Sequence, residues 1–333
     1  MIRALLFIAV LSCSFPKFAA ADFDFLFGFG DSLSDSGNAA ILADSQVPPP
    51  EPARTPTPIS SNTFVPSLPY DSDRLSNGPV WVEYLAASLG LSAAPSLAGG
   101  TNFAVGGART GPGGSGFSLL DQVGFFLDAT GGIAPSDALY VVWGGGNDAR
   151  DAFATAVLGG DPASVIGAYA ANIASILAQL DSAGAESILL GNVPDIGKTP
   201  ALQTLGPAAA ALGSALAAAM NTALAGVLAT LPASLLDDLI LFDTFALNNE
   251  LFADPAAFGM TNVTDACAVT LACIANPDTT FFWDGIHPTT AGHALLARAA
   301  RAQITQIPAP SSLALLVPAL ILLGWARRRY WPR

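Results

Sequence analysis

The chain has 333 residues, 52% of them hydrophobic and only 12% charged, with a formal net charge of −13. That balance excludes a disordered chain and leaves ample apolar side chain for a buried core. The acidic excess repels phosphate backbones and anionic membrane surfaces, which argues against nucleic-acid binding and suits a soluble exported protein handling neutral substrates.

Residues 1–21 begin with Arg3, continue through an apolar run from Ala4 to Leu11, and end at Ala19-Ala20-Ala21 before Asp22. A positive start, a short apolar run and a small-residue cleavage site predict a secretory signal peptide, and the run is too short for a comfortable membrane span. The body then runs over 22–307. Phe23–Phe27 reads as a first strand and leads into Gly30-Asp31-Ser32-Leu33. Residues 48–69 are rich in Pro and Ser with no apolar periodicity, which predicts a long surface insertion, either a plain loop or a lid. Val80–Leu89 carries Trp81, Leu85 and Leu89 at helical spacing. Ala138–Trp143 is a second, almost wholly apolar strand, followed by Gly144-Gly145-Gly146-Asn147-Asp148. A longer helix spans Ala163–Leu180, with Ile166, Tyr169, Ile173 and Leu177 on one face. Ser187–Leu190 is a third strand, the alanine-rich stretch Pro207–Leu231 a helix, and Leu239–Phe242 a fourth strand. Trp283-Asp284-Gly285-Ile286-His287-Pro288 precedes a last helix over Pro288–Gln303. Short apolar strands alternating with helices predict an α/β fold, a three-layer α/β/α sandwich around a mainly parallel sheet.

Of three cysteines, Cys13 falls in the leader. Cys267 and Cys273 remain, and two cysteines in an exported chain suggest a small disulfide loop. Only two histidines occur, His287 and His293, too few with these cysteines for the usual zinc site. No metal or organic cofactor is expected.

The C-terminal segment 308–333 reads Pro308-Ala309-Pro310-Ser311-Ser312-Leu313, then an apolar run to Gly324, then Arg327-Arg328-Arg329. Arginines after a short apolar helix favour the cytoplasmic side. The segment resembles the PEP-CTERM sorting signal of Gram-negative bacteria, with Ala309 where that motif has glutamate. The resemblance implies export across an inner membrane, transient membrane contact and processing by an exosortase-type enzyme, so that the protein ends in the cell envelope or outside the cell. A plain C-terminal membrane anchor is the alternative.

Reactive groups in α/β sheets gather at the carboxyl ends of strands. Ser32 stands there, at the expected start of a helix with free backbone N–H groups. Three glycines and the Asn147 amide follow the second strand, where the backbone can approach a ligand closely. A serine hydroxyl needs a base, and the base an orienting carboxylate. His287 has Asp284 three residues before it. His293 lies within a helical stretch, where a structural role is expected.

These segments resemble the GDSL, or SGNH-hydrolase, family of esterases and lipases. The resemblance rests on Gly30-Asp31-Ser32-Leu33 through Asn38, Asn102-Phe103-Ala104-Val105-Gly106-Gly107-Ala108, Gly145-Gly146-Asn147-Asp148, and Asp284-Gly285-Ile286-His287-Pro288-Thr289, with Arg74 to Trp81 as a further match. It implies a flavodoxin-like sheet, Ser32 as nucleophile, His287 as base and Asp284 as its orienting acid. It also implies an oxyanion hole from the N–H groups of Ser32 and Gly106 and the amide of Asn147. Asp31 and Asp148 are read instead as structural, fixing the turns they stand in. The expected activity is hydrolysis of carboxylic or lipid esters through an acyl-enzyme. Acyl transfer to an alcohol, removal of acetyl groups from polysaccharides, and a non-catalytic surface protein on the same scaffold are the alternatives.

Overall fold

Four short apolar runs lie side by side in one sheet. They are β1 (Phe25–Gly30), β2 (Ala138–Trp143), β3 (Ile188–Gly191) and β4 (Leu239–Phe242), in that spatial order, and every pairing is parallel. The structure, a computed structural model, describes residues 23–46, 59–66, 68–70, 72–113 and 117–305. The expected leader 1–21, the tail 308–333 and most of the Pro-rich insertion lie outside the described residues. Phe23–Ile304 form one compact unit.

Side chains alternate across the strands and bury both faces of the sheet. Phe27, Phe29, Tyr140, Val142, Ile188 and Leu190 pack under the helices Leu119–Thr130, Ala163–Ala183 and Pro207–Leu228. Leu26, Leu139, Val141, Trp143, Leu189 and Phe242 pack against Trp81–Ser88 and Thr290–Thr305. The result is the three-layer α/β/α sandwich expected from the sequence. Each large side chain so buried contributes roughly 1.5–3 kcal/mol.

The free side of β1 is also paired. Gly28 N–H donates to Thr101 O at 3.1 Å, Phe103 N–H to Gly28 O at 2.7 Å, and Val105 N–H to Gly30 O at 3.2 Å. Residues 101–105 therefore run parallel beside β1. The chain leaves β1 towards that side and later returns to its other side as β2. That makes β1 the switch point of the sheet, and the crevice beyond its carboxyl end is where α/β sheets bind ligands.

Strand β1 runs to Gly30, three residues past the sequence expectation, because its glycines serve close approach rather than strand propensity. A Cβ at Gly28 would stand 2.6 Å from Asn102 Oδ1, and one at Gly30 would stand 2.6 Å from Trp143 O. Two buried asparagines tie the following turn to the 102–105 segment. Asn38 donates to the carbonyls of Asn102 and Ala104 at 2.7 and 2.9 Å, and Asn102 donates to Ser34 O at 2.7 Å and Ser36 Oγ at 2.9 Å. Buried Gln122 grips both the N–H and the carbonyl of Gly30 at 2.9 Å.

A separate parallel pair, β5 (Asn262–Ala266) and β6 (Thr280–Phe282), carries the late part of the chain into Asp284. Between them Cys267 and Cys273 are joined by a disulfide. The Ala268 N–H inside that loop donates to Trp283 O at 2.9 Å, so the cross-linked loop braces the residue beside Asp284.

Candidate active site

Ser32 follows β1 in a turn rather than at a helix start. Asp31 O accepts the N–H groups of Ser34 and Asp35, both at 3.0 Å, and the helix begins only at Asn38. Asp35 interrupts the turn: its carboxylate takes the N–H groups of Gly37, Asn38 and Ala39 at 2.8, 2.7 and 3.0 Å and so caps the later helix. Burial pushes the Asp35 carboxyl up from its ordinary range, against the pull of these donors. The free N–H expected at Ser32 survives the change of setting: it has no acceptor among the described residues.

The loop after β6 brings His287 and Asp284 to that serine. His287 Nε2 lies 2.9 Å from Ser32 Oγ, and His287 Nδ1 lies 2.7 Å from Asp284 Oδ2. All three residues are buried, with Asp284 0% exposed. Asp284 Oδ1 accepts the N–H groups of Ile286 and His287, each at 2.8 Å. The three-residue spacing seen in the sequence thus lets one carboxylate hold both the backbone and the ring of the same histidine. Segment 74–81 braces the loop from outside, through Ser76 Oγ to Pro288 O at 2.8 Å and Thr290 N–H to Asn77 Oδ1 at 2.8 Å.

His293 is fully buried, and neither ring nitrogen has a hydrogen-bond partner among the described residues. Burial, then the neighbouring His287 charge, pulls its pKa down to about 3, so it stays neutral as a packing residue.

The groups expected as oxyanion donors divide. The Asn147 amide donates to Ala108 O at 2.9 Å, which fixes its orientation and leaves its second hydrogen free, and Asn147 lines the same cavity as Ser32 and His287. Gly106, expected to donate, does not point its N–H into that cavity: it donates to Asp35 Oδ2 at 2.8 Å. The next residue, Gly107, lines the cavity with φ +82° and its N–H has no acceptor among the described residues. The glycine pair was legible in the sequence; which of the two is spoken for by Asp35 was not. Asp148, expected to fix the turn after the second strand, instead reaches across to another loop, taking the N–H and hydroxyl of Thr110 at 3.1 and 2.7 Å.

Tyr70 was not foreseen. Its hydroxyl donates to Asp284 Oδ2 at 3.0 Å, on the same oxygen that holds His287. Burial and the Asp284 charge push the phenol pKa upward, so it remains a donor. Tyr70 lies 214 positions from Asp284, with no spacing to betray the contact. It follows directly on the Pro-rich insertion, whose described part proves to be more than surface. Gly285 N–H donates to Phe64 O at 3.0 Å, and Thr63 and Val65 line the site.

Two cavities reach Ser32. One, of about 200 Å³, is walled by Leu33, Trp143, Ile196, Leu202, Phe281 and Leu296. The other, of about 420 Å³, is polar and lined by Gly106, Gly107, Arg109, Arg150 and Asp151. Ser32, Val65, Asn147, Arg150 and His287 line both.

A parallel α/β sheet with a hydrogen-bonded Ser–His–Asp line at its switch point is a scaffold suited to nucleophilic chemistry. Residues 26–300 match the GDSL-like lipase/acylhydrolase family, and the chain belongs to that family. Relatives include an uncharacterized protein in the trpE–trpG intergenic region of Pseudomonas putida, 27% identical over 89% of this chain and 51% of that protein. Lipase 1 of Photorhabdus luminescens is 30% identical over 53% of this chain and 23% of its own length. The chain thus spans about half of the first relative and under a quarter of the second. Among solved structures, Axe2, an acetylxylan esterase from Geobacillus stearothermophilus, aligns over 86% of this chain and 96% of its own, with a TM-score of 0.40 and 14% identity.

Two measurements test this geometry. Tyr70→Phe keeps the ring but removes a donor from Asp284, leaving more charge on the oxygen facing the imidazole. The acid limb of the kcat/KM profile should move up by about half to one pH unit, with the fold intact; an unmoved limb would show that the hydroxyl does not act on the histidine. The second concerns Asp31, whose carboxyl burial pushes up to about 6. The folded state then binds its proton more tightly than the unfolded chain, so stability falls as pH rises from about 4 through about 6. Asp31→Asn should raise stability by about 1–3 kcal/mol above pH 6 and by little below pH 4. Urea melts across that range would show a pH-independent difference if the carboxyl were not held in this way.

Proposed function

We propose that the protein is an exported serine ester hydrolase working through a Ser32 acyl-enzyme. The observation that carries this reading is the continuous line Asp284 Oδ2, His287 Nδ1, His287 Nε2, Ser32 Oγ, with steps of 2.7 and 2.9 Å across the ring. Ser32 Oγ attacks the ester carbonyl carbon while its proton passes to His287 Nε2. The carbonyl oxygen becomes an oxyanion facing the N–H groups of Ser32 and Gly107 and the amide of Asn147. Each such donor typically lowers the barrier by roughly 2.7–4 kcal/mol. The proton on His287 goes to the departing alcohol oxygen, the acyl C–O bond to the alcohol breaks, and water activated by the same nitrogen releases the acid. Asp284 holds the ring in the tautomer this requires. The apolar walls of the smaller cavity favour an ester with an apolar acyl chain.

The setting belongs to the same proposal. The leader at 1–21 directs export across the inner membrane of a Gram-negative cell. The 308–333 segment holds the chain at the membrane until an exosortase-type enzyme releases it. Intact mass of the protein from its native host should show a chain beginning near Asp22 and lacking the apolar tail; a retained tail would replace sorting with permanent anchoring.

For the chemistry, hydrolysis of a p-nitrophenyl ester series by the purified protein is the test. Ser32→Ala should reduce kcat/KM by on the order of 10⁴-fold or more, with the melting temperature little changed. Unchanged hydrolysis would remove Ser32 as nucleophile.

A further inference from the structure

Arg150 stands on the helix Gly146–Val157, one turn beyond Asn147, and its exposed side chain lines both cavities that reach Ser32. Other arginines near the site are paired. Arg74 holds both carboxylate oxygens of Glu83 at 2.9 and 2.5 Å, and Arg109 holds both of Asp151 at 2.6 and 2.9 Å. Arg150 has no carboxylate within ion-pair distance among the described residues. Its one hydrogen-bond contact there runs from Nη1 to Asn147 Oδ1 at 3.4 Å, long for an N–H···O bond. The planar head, with five donors, is left facing the cavity.

No surrounding carboxylate forms an ion pair with it among the described residues. In the larger cavity Arg109 and Asp151 cancel each other. Asp148, 7% exposed, is bonded to Thr110, and Asp31, 3% exposed and bonded to Leu33 N–H, attracts Arg150 without forming an ion pair with it. The polar cavity therefore carries a guanidinium with no carboxylate in contact with it, beside the nucleophile. It does so in a chain of net charge −13, whose overall field repels anions. A guanidinium so placed matches the paired oxygens of a phosphate or carboxylate.

We propose that the alcohol portion of the substrate carries an anionic group, which Arg150 binds in the polar cavity while the acyl chain occupies the apolar one. This rests on the ester-hydrolase reading above and revises the expectation of a neutral substrate. Arg150 then sets specificity: it engages the leaving alcohol a short distance from the bond that breaks and takes no part in proton transfer.

The test uses the full-length protein and three water-soluble esters sharing one butyryl group: those of glycerol, of glycerol 3-phosphate and of glyceric acid. Both anionic esters should exceed the glycerol ester in kcat/KM by about tenfold or more at low salt, the size expected of a charge-assisted hydrogen bond. The preference should weaken at high ionic strength. A preference for only one anionic ester identifies phosphate or carboxylate as the group bound. Arg150→Gln should bring the anionic-to-neutral ratio close to one, and Arg150→Lys should keep part of it. Because the readout is a ratio, a general loss of activity leaves it unmoved. Hydrolysis of all three esters at equal rates, or a ratio unchanged in Arg150→Gln, would overturn the role of Arg150 while leaving the hydrolase reading in place. Hydrolysis of none would overturn both.

Discussion

A 2.9 Å contact between Ser32 Oγ and His287 Nε2 joins two points 255 positions apart in the chain. Such a contact lasts only if both ends are held to within a fraction of an ångström. The serine end is fixed by β1, whose last residue is clamped by Gln122 on one side and paired with Val105 on another. The histidine end is a loop outside the main sheet, closed on β6 by an antiparallel bridge in which Trp283 N–H donates to His287 O and Thr289 N–H to Phe281 O, both at 2.7 Å. Asp284, the Phe64 carbonyl, Ser76, Asn77 and the disulfide-braced Ala268 supply what the sheet does not. Three stretches far apart in the chain, at Phe64, at Ser76 and Asn77, and at Ala268, thus meet at that loop.

The same constraint explains the buried polar side chains around the site. An unpaired buried polar group costs about 1–3 kcal/mol, and a charged one more. Asp31, Asp35, Asp148 and Asp284 are each met by N–H or hydroxyl donors. Asn38 and Asn102 spend their amides on carbonyls and a hydroxyl of the opposing loop. Satisfied in this way, the network excludes alternative packings of the two loops that flank Ser32. Asp35 shows the consequence: by taking the Gly106 N–H it presents the next residue, Gly107, to the cavity.

Most of the scaffold was legible in the sequence because strands buried on both faces leave unbroken apolar runs, as at Ala138–Trp143. The array was legible because histidine is scarce and Asp284 stands three residues before His287, a separation short enough for local geometry to decide. Less could be read where glycine acts through space. The extension of β1 to Gly30 depends on Asn102 and Trp143 pressing against it, and no local propensity records that. The helix Leu119–Thr130 stands outside the sequence expectations although its capping box, Ser118 with Asp121, is a local signal. Tyr70 and Gln122 were hidden for a different reason: each acts across a long loop, and sequence distance carries no trace of such a contact. The Pro-rich insertion lacks periodicity, yet its Phe64 carbonyl holds the N–H of Gly285, the residue after Asp284.

The central claim is that Ser32 becomes covalently acylated. Incubating the protein with an ester whose acyl-enzyme turns over slowly, quenching in acid and sequencing the peptides by mass spectrometry measures this directly. The account predicts one acyl group per chain, on the peptide containing Ser32, and none after His287→Ala. An acyl group on another residue, or hydrolysis with no modified peptide at any quench time, would contradict it.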